Sequence, residues 1–341
     1  MTPDLSVIIP VCNRGDLIQH TLASVTAAST GLRVETIVID DGSTPPVAAS
    51  LNRLRFVPSK LVRQENRGLL FARLKGLSVA TGRHVIFLDS DDLVGPQKFH
   101  LQLEALDANR ADISYTDTAR CPLTDAGPGE IVPDAPTLRT TDAAEFYLTL
   151  QPPPHSPIFR RPYLETVVAS AFFSPTTLYN PVAEIWFYHN AAPRPATVIK
   201  VPGPHTIIGT HAHPRLTDHW EKLGVASLAV MEAFARRCPV DSPLALRARH
   251  LVGEKAFVAW RRLPRGFSPE FAARELALWE KLHDRVDLAR LGGIHFRQLA
   301  AAVGPVIAAR TLQRVQNESY EKIRTLDDAT LAELLAQLPP P

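Results

Sequence analysis

Much that would point to a covalent scaffold, a membrane or a polyelectrolyte partner is missing from this chain. Its three cysteines, Cys12, Cys121 and Cys238, are far apart and odd in number. That spacing excludes a disulfide framework and a close-set zinc site, and it fits a reducing compartment. No run of about 18 apolar residues occurs, the length a bilayer crossing needs. The 11-residue stretch Leu299 to Ala309 is too short and is interrupted by Gly304 and Pro305. Met1-Thr2-Pro3-Asp4 leads directly into an apolar run, with neither a basic segment nor a signal core, so the expected location is cytoplasmic. Charge of one sign is also lacking: 37 Lys and Arg against 35 Asp and Glu leave a net +2, which gives no global argument for nucleic acid. No fixed-period repeat or low-complexity tract is present, and no Gly-rich phosphate loop followed by Lys comes after the first apolar run.

What is present is an alternation of apolar runs and helical spacing. Strands are expected near 5 to 10, 34 to 39, 60 to 64 and 84 to 88, with helices near 15 to 27, 47 to 54 and 69 to 80 between them. That is the pattern of a parallel sheet covered by helices. A helix at 96 to 107 and a strand around Ile113 and Tyr115 follow, then a Pro- and Asp-rich loop from 121 to 137. Gln151-Pro152-Pro153-Pro154-His155-Ser156-Pro157 cannot continue a helix and reads as a hinge. From Asp218 onward Leu, Ala, Val and Phe recur at three- and four-residue steps, which predicts amphipathic helices in need of an apolar surface. At 341 residues the chain exceeds the usual size of one domain. The expected division is an α/β unit over 1–217, with halves 1–116 and 117–217, and a helical appendage over 218–341.

Chemistry concentrates where two apolar runs end. Val85-Ile86-Phe87-Leu88 runs into Asp89-Ser90-Asp91-Asp92, which sets three carboxylates within four residues. Val34 to Ile39 ends in Asp40-Asp41-Gly42-Ser43-Thr44, and Leu5 to Pro10 breaks into Val11-Cys12-Asn13-Arg14-Gly15. In open α/β sheets the carboxyl ends of strands are where ligands bind. Clustered carboxylates suit Mg²⁺ or Mn²⁺, which usually reach a protein through one or two acids plus substrate phosphates. The competing reading is local, since Asp and Ser also cap helices and shape turns. Between positions 53 and 83 eight Lys and Arg face the single acid Glu65; for most of them a solvated basic surface is the simpler reading.

The order SVIIPVCNR, ETIVIDDGST, RQENRGLLFARLKGLSVATG, HVIFLDSDD over residues 6 to 92 resembles the nucleotide-binding half of the inverting family-2 glycosyltransferases. The likeness continues more loosely to about Thr217. It implies an α/β GT-A fold: a Rossmann-like, mostly parallel mixed sheet flanked by helices. It also implies a metal-dependent enzyme that moves a sugar from a uridine diphospho-sugar, with thymidine second, to a hydroxyl acceptor such as a glycan or a lipid-linked glycan. A lipid-linked acceptor would allow peripheral attachment at the inner face of a membrane. By the same resemblance Asp91 is the metal ligand for Mn²⁺ or Mg²⁺. Asp89 and Ser90 face the ribose or the metal's surroundings, and Asp92 caps the following helix. Asp41 accepts the uracil imide hydrogen, with Pro10, Cys12 and Asn13 around the base. Many relatives carry an aromatic residue where this chain has Cys12. Arg73 is implied as a diphosphate contact; a salt bridge to Asp40 is the alternative.

The resemblance also asks for a late carboxylate to take the acceptor proton. In Pro181-Val182-Ala183-Glu184-Ile185-Trp186-Phe187-Tyr188 only Glu184 is available, the sole acid between Glu165 and Asp218. Desolvation beside Ile185 and Trp186 would raise its basicity. The alternative is a solvent-facing Glu favoured by a helix N-terminus. Thr210-His211-Ala212-His213-Pro214-Arg215 is implied as a lid, with Arg215 reaching phosphate and His213 the metal. On a strand, His211 and His213 would share one face. Two rival functions stay open at this level: a nucleotide-sugar-binding protein without efficient transfer, and a nucleotidyltransferase. The helices after residue 218 are expected to shape the acceptor side or to dock a partner or a second copy of the chain.

Overall fold

The computed structural model describes residues 1–124, 127–213, 215 and 218–340. Among the described residues there are ten strands: β1 (Leu5–Val11), β2 (Val34–Asp41), β3 (Lys60–Gln64), β4 (His84–Phe87), β5 (Leu93–Val94), β6 (Ile113–Thr124), β7 (Gly127–Pro128), β8 (Val132–Pro133), β9 (Ile158–Arg160) and β10 (Val198–Thr210). Helices α1 (Ile18–Ala28), α2 (Val47–Arg53), α3 (Leu69–Val79) and α4 (Lys98–Ala108) connect the early strands. Then come α5 (Ala143–Glu145), which continues as a π-helix over Phe146–Leu150, α6 (Arg161–Ala169), a 3₁₀ stretch over Thr177–Val182, and α7 (Ala183–Ala191). The remainder is helical: α8 (Trp220–Arg237), α9 (Pro243–Arg262), α10 (Pro269–Leu282), α11 (Leu288–Leu291), α12 (Ile294–Val303), α13 (Pro305–Gln316), α14 (Tyr320–Ile323) and α15 (Asp328–Ala336).

The sheet order is β3-β2-β1-β4-β9-β6-β10-β5. β3, β2, β1 and β4 run parallel, as do β6 and β10, and these are the long pairings. The antiparallel contacts of β9 and β5 span two residue pairs each. Every residue of β1 is buried, because helices cover both faces, and such a strand reads as an unbroken apolar run. After β1 the chain lays β2 and β3 on one side and returns with β4 on the other. The strand order therefore reverses beside β1, which opens a crevice at the carboxyl ends of β1, β2 and β4.

Two of the expected irregular segments are ordered differently. Along β6 the later residues alternate strictly, with Ala119, Cys121 and Leu123 buried between outward-facing neighbours. The strand therefore continues to Thr124, into the segment read as loop, and β7 and β8 fold back on it. The proline-rich segment 151–157 is an anchored, buried connection rather than a hinge. His155 and Ser156 are fully enclosed, and Ser156 Oγ donates to Thr116 O at 3.0 Å.

One face of the sheet packs Ile18, Leu22, Phe99 and Leu103 of α1 and α4. The other face packs a larger core in which Leu70, Trp186 and Phe187 share one apolar cluster with Phe234 and Leu251 of α8 and α9. α8 and α9 thus complete the hydrophobic layer that seats α7. A smaller cluster around Phe257, Trp279 and Phe296 gathers the last helices.

Candidate functional site

The turn after β2 is built by Asp40. Its Oδ1 accepts from Ser43 N at 2.8 Å, and its Oδ2 accepts from Val47 N at 3.1 Å and Arg63 Nη1 at 2.8 Å. Gly42 has φ +76°, and a Cβ there would stand 2.8 Å from Asn66 N, so both backbone angle and space require glycine. Asp41 turns the other way and is 3% exposed. It accepts from Gln64 Nε2 at 2.8 Å, Arg67 N at 3.0 Å and Gly68 N at 2.8 Å. Three of about four acceptor positions on this carboxylate are therefore taken by the loop ahead of α3.

The end of β1 meets this turn. Asn13, at φ +54°, donates its N–H to Ser43 Oγ at 3.1 Å and accepts from Thr44 N at 2.8 Å. Asn66 Nδ2 lies 3.2 Å from Cys12 Sγ. Cys12, Asn13 and Asp41 thus surround one loop cluster, with Pro10 buried in β1 just behind.

At the end of β4 the acids divide. Asp89 Oδ1 accepts from Arg73 Nη2 at 2.8 Å, and the same guanidinium reaches Glu184 Oε2 through Nη1 at 3.3 Å. Arg73 does not pair with Asp40, which uses Arg63 instead. Burial by itself would lower the Arg73 pKa, but Asp89 and Glu184 outweigh it and hold the guanidinium charged. Arg73 is 1% exposed, whereas the Glu184 side chain is 32% exposed. The expected desolvated setting of Glu184 is not what the fold provides: Trp186 points inward, donating Nε1–H to Phe173 O at 3.2 Å, and the carboxylate faces a cation and open space.

Asp91 Oδ2 lies 2.8 Å from His211 Nε2 and 3.1 Å from Arg14 Nη1, and Arg14 Nη1 lies 3.0 Å from that same imidazole nitrogen. His211 is therefore the imidazole beside Asp91. His213 is exposed, its ring 5.5 Å from that of His211. β10 ends at Thr210, so the strand geometry that would place both rings on one face does not extend to them. Arg215 bends back to donate Nη2–H to Gly209 O, and its N–H donates to Asp218 at 2.7 Å. Pro214, Leu216 and Thr217 of the expected lid lie outside the described residues.

Asp92 has a structural position rather than a helix-capping one. Its Oδ1 accepts from Gly209 N at 2.9 Å, and its Oδ2 is 3.1 Å from His155 Nδ1. α4 begins later, after Gln97, with no side-chain cap. Burial, then the charges of Asp89 and Asp91, raise the Asp92 carboxyl well above the usual range. Burial and the nearby Lys98 push His155 down to about 3. Gly209 is needed for this fit, since a Cβ there would strike Asp91 O at 2.0 Å. Ser90 is buried between the two outward acids.

Among the described residues no three His, Cys, Asp or Glu side chains form a ready metal cage. Asp91 Oδ2 and His211 Nε2 nevertheless face each other with a cation already against both. One carboxylate oxygen and one imidazole nitrogen suit Mn²⁺ or Mg²⁺ when diphosphate oxygens complete the shell. The donor set fits the group.

Residues 6–167 match the family model described as glycosyl transferase family 2. The chain carries a family 2 glycosyltransferase domain. YibD of Escherichia coli K12, an uncharacterized glycosyltransferase, is 33% identical over 122 residues, or 35% of each chain. This chain spans about a third or less of the length of the first such relatives. Among solved structures, S. aureus TarS 1-349 in complex with UDP-GlcNAc is 17% identical, with TM-score 0.62 over 95% of this chain and 93% of that one. The mannosyltransferase PcManGT of Pyrobaculum calidifontis, in complex with GDP-Man and Mn²⁺, is 16% identical, with TM-score 0.52 over 99% and 88%. At that identity the two structures establish the shared GT-A fold.

Within the family 2 domain the local run of acids was legible in sequence, but several partners were not. Arg14, Asn66 and His155 reach their contacts from distant segments. Lys98, fully buried, donates to Thr206 Oγ1 at 2.9 Å, Ser156 O at 3.0 Å and Thr116 Oγ1 at 3.2 Å beneath the site. A lone lysine at the start of a helix carries no sequence signal of that role. His211 could have been chosen over His213 from its nearness to the end of an apolar strand.

Proposed function

We propose that the protein transfers a glycosyl group, with inversion, from a uridine diphospho-sugar to a hydroxyl acceptor. The observation that carries the reading is Arg73, which holds Asp89 at the end of β4 and Glu184 at the start of α7 on one guanidinium. It brings the candidate base and the candidate donor site to one crevice. In the reaction the acceptor oxygen bonds to the anomeric carbon, the bond from that carbon to the diphosphate oxygen breaks, and the acceptor proton passes to the Glu184 carboxylate. The nucleoside diphosphate leaves with the bonding pair.

Asp91, with His211, would hold the divalent ion, which when bound neutralises charge on the departing diphosphate. Asp89 orients the ribose side, and Arg73 fixes Asp89 and Glu184 relative to each other. Cys12 and Asn13 border the base, and Asp41 reads it through the one acceptor position the loop leaves open. A base that uses Asp41 fully displaces a donor of residues 64–68, so that loop is the element that adjusts on donor binding. Arg215 and His213 belong to the segment that covers the diphosphate. Residues 1–217 carry the chemistry, and the helices from 218 back the acceptor side. The crystallised neighbours with UDP-GlcNAc and with GDP-Man and Mn²⁺ support a nucleotide-sugar donor and a divalent metal.

A second reading is a nucleotide-sugar-binding protein without turnover, favoured by the engagement of Glu184 with Arg73 rather than with open solvent alone. A panel of nucleotide sugars, assayed for calorimetric binding and for donor hydrolysis or transfer with and without Mn²⁺, separates the two. Metal-dependent turnover of a uridine diphospho-sugar is expected. Binding with no turnover of any donor selects the second reading, and no binding of any nucleotide sugar refutes both.

A further inference from the structure

Away from the acid cluster, a cavity of about 450 Å³ opens between α7, α8, α9 and the end of the π-helix. That is within the range of small-molecule sites. Its walls are apolar at Ile185, Met231 and Val258. Two cations enter it from one face of α9, Lys255 and Arg262, seven positions apart and therefore two turns along the same side. Neither has a carboxylate within ion-pair reach among the described residues. Among the described residues Lys255 bonds only to Gln151 Oε1. The adjacent acid, Glu254, is already committed to Arg290 at 2.5 Å and His250 at 3.2 Å. Burial, reinforced by Arg262, pushes the Lys255 ammonium down to about 8. Two like charges at a partly dry wall are costly without an anion between them.

A third wall residue has an unused lone pair. His189 is 1% exposed; its Nδ1 lies 2.9 Å from Ile185 O, and its Nε2 is buried without a hydrogen-bond partner among the described residues. A carbonyl can only accept, so Nδ1 carries the hydrogen. Burial pushes the ring down to about 4 and keeps it neutral. Nε2 is therefore an unused acceptor, suited to a ligand hydroxyl.

We propose that this cavity is a second ligand site, for an organic phosphate. Lys255 and Arg262 hold the phosphate, Ile185, Met231 and Val258 hold its carbon part, and His189 Nε2 accepts from a hydroxyl on it. Arg262 supplies paired donors in a planar fork and Lys255 a point charge, the combination that phosphate groups take. The assignment does not rest on the reading of the acid cluster.

The test uses the full chain and three probes in calorimetry: inorganic phosphate, n-hexyl phosphate and 6-hydroxyhexyl phosphate. Binding should strengthen in that order. Arg262→Gln, at an exposed position, and Lys255→Gln should each weaken hexyl phosphate at least fivefold, and His189→Phe should remove the gain from the added hydroxyl. Met231→Trp, which fills the cavity, should abolish binding. Melting curves identify any variant that fails to fold, in which case Arg262→Gln alone decides. Asp91→Asn and saturating uridine diphosphate should leave hexyl phosphate binding unchanged, which keeps the outcome separate from that of the donor site. No saturable binding at millimolar probe, or unchanged affinity in folded Arg262→Gln, overturns the proposal.

Discussion

Arg73 Nη1 reaches Glu184 Oε2 at 3.3 Å across 111 positions of sequence, while Nη2 of the same side chain holds Asp89 at 2.8 Å. The guanidinium is buried and both carboxylates are partly open, so the charge is enclosed and its partners remain available to a ligand. Loss of this side chain should do two things at once. Arg73→Met should lower stability by about 3 kcal/mol, the lower end for breaking a buried ionic contact because the carboxylates keep water. It should also weaken donor binding at least tenfold. Arg73→Lys should recover part of the stability but little of the binding, since an ammonium cannot bridge both acids. Urea unfolding and calorimetry on the two variants check this. Equal donor affinity in Arg73→Lys and parent would mean that the bridge is structural only.

Glu184→Gln keeps the shape of the bridge and removes the base. Donor affinity should stay within a few-fold, while transfer falls by roughly two to four orders of magnitude, the range for positioned acid–base groups. The measurement is single-turnover transfer at saturating donor. Near-normal turnover would move the proton acceptor to another group.

Asp91 and His211 predict a metal dependence that Ser90 does not share. Asp91→Asn should abolish the gain in donor affinity on adding Mn²⁺. His211→Ala should reduce it, and both Ser90→Ala and His213→Ala should leave it near parental. Titrating uridine diphosphate with and without Mn²⁺ gives the answer. An equal effect of His213→Ala and His211→Ala would contradict the geometry at the end of β10.

The sheet edge near β2 contains a pH-sensitive tie. Burial would raise the Glu35 pKa, but hydrogen bonds from Ser6, Thr81 and Lys60 outweigh it and bring the carboxyl to about 2. The folded value lies below the unfolded one. The resulting stability is complete above an ordinary Glu pKa of about 4.3 and is lost as pH falls through about 2. Glu35→Gln should therefore lower stability at pH 7 and flatten its dependence on pH below about 5. Parallel stability curves for variant and parent across that acid range would refute the assignment.

The sequence by itself determined the half of the molecule in which local pattern and tertiary outcome coincide. β1, β2 and β4 are apolar runs that end in Asn, Asp or Gly, and parallel strands buried on both faces have no other way to read. The acids at 40–41 and 89–92 therefore had to arrive at the carboxyl edge of one sheet. Which of those acids meets which partner was not encoded locally. Asp40 and Asp41 are neighbours in sequence, yet one is held by α2 and Arg63 and the other by residues 64–68. Asp91 and Asp92 are neighbours too, yet one faces Arg14 and His211 and the other His155 and the backbone of Gly209. Such choices depend on side-chain direction and on segments 23 to 120 positions away, and only packing settles them. The same holds for the continuation of β6 through Pro122, where an alternating burial pattern overrides composition. It holds as well for α8 and α9: their periodicity announced apolar faces, and the tertiary structure alone spent those faces on the core that seats α7 and Glu184.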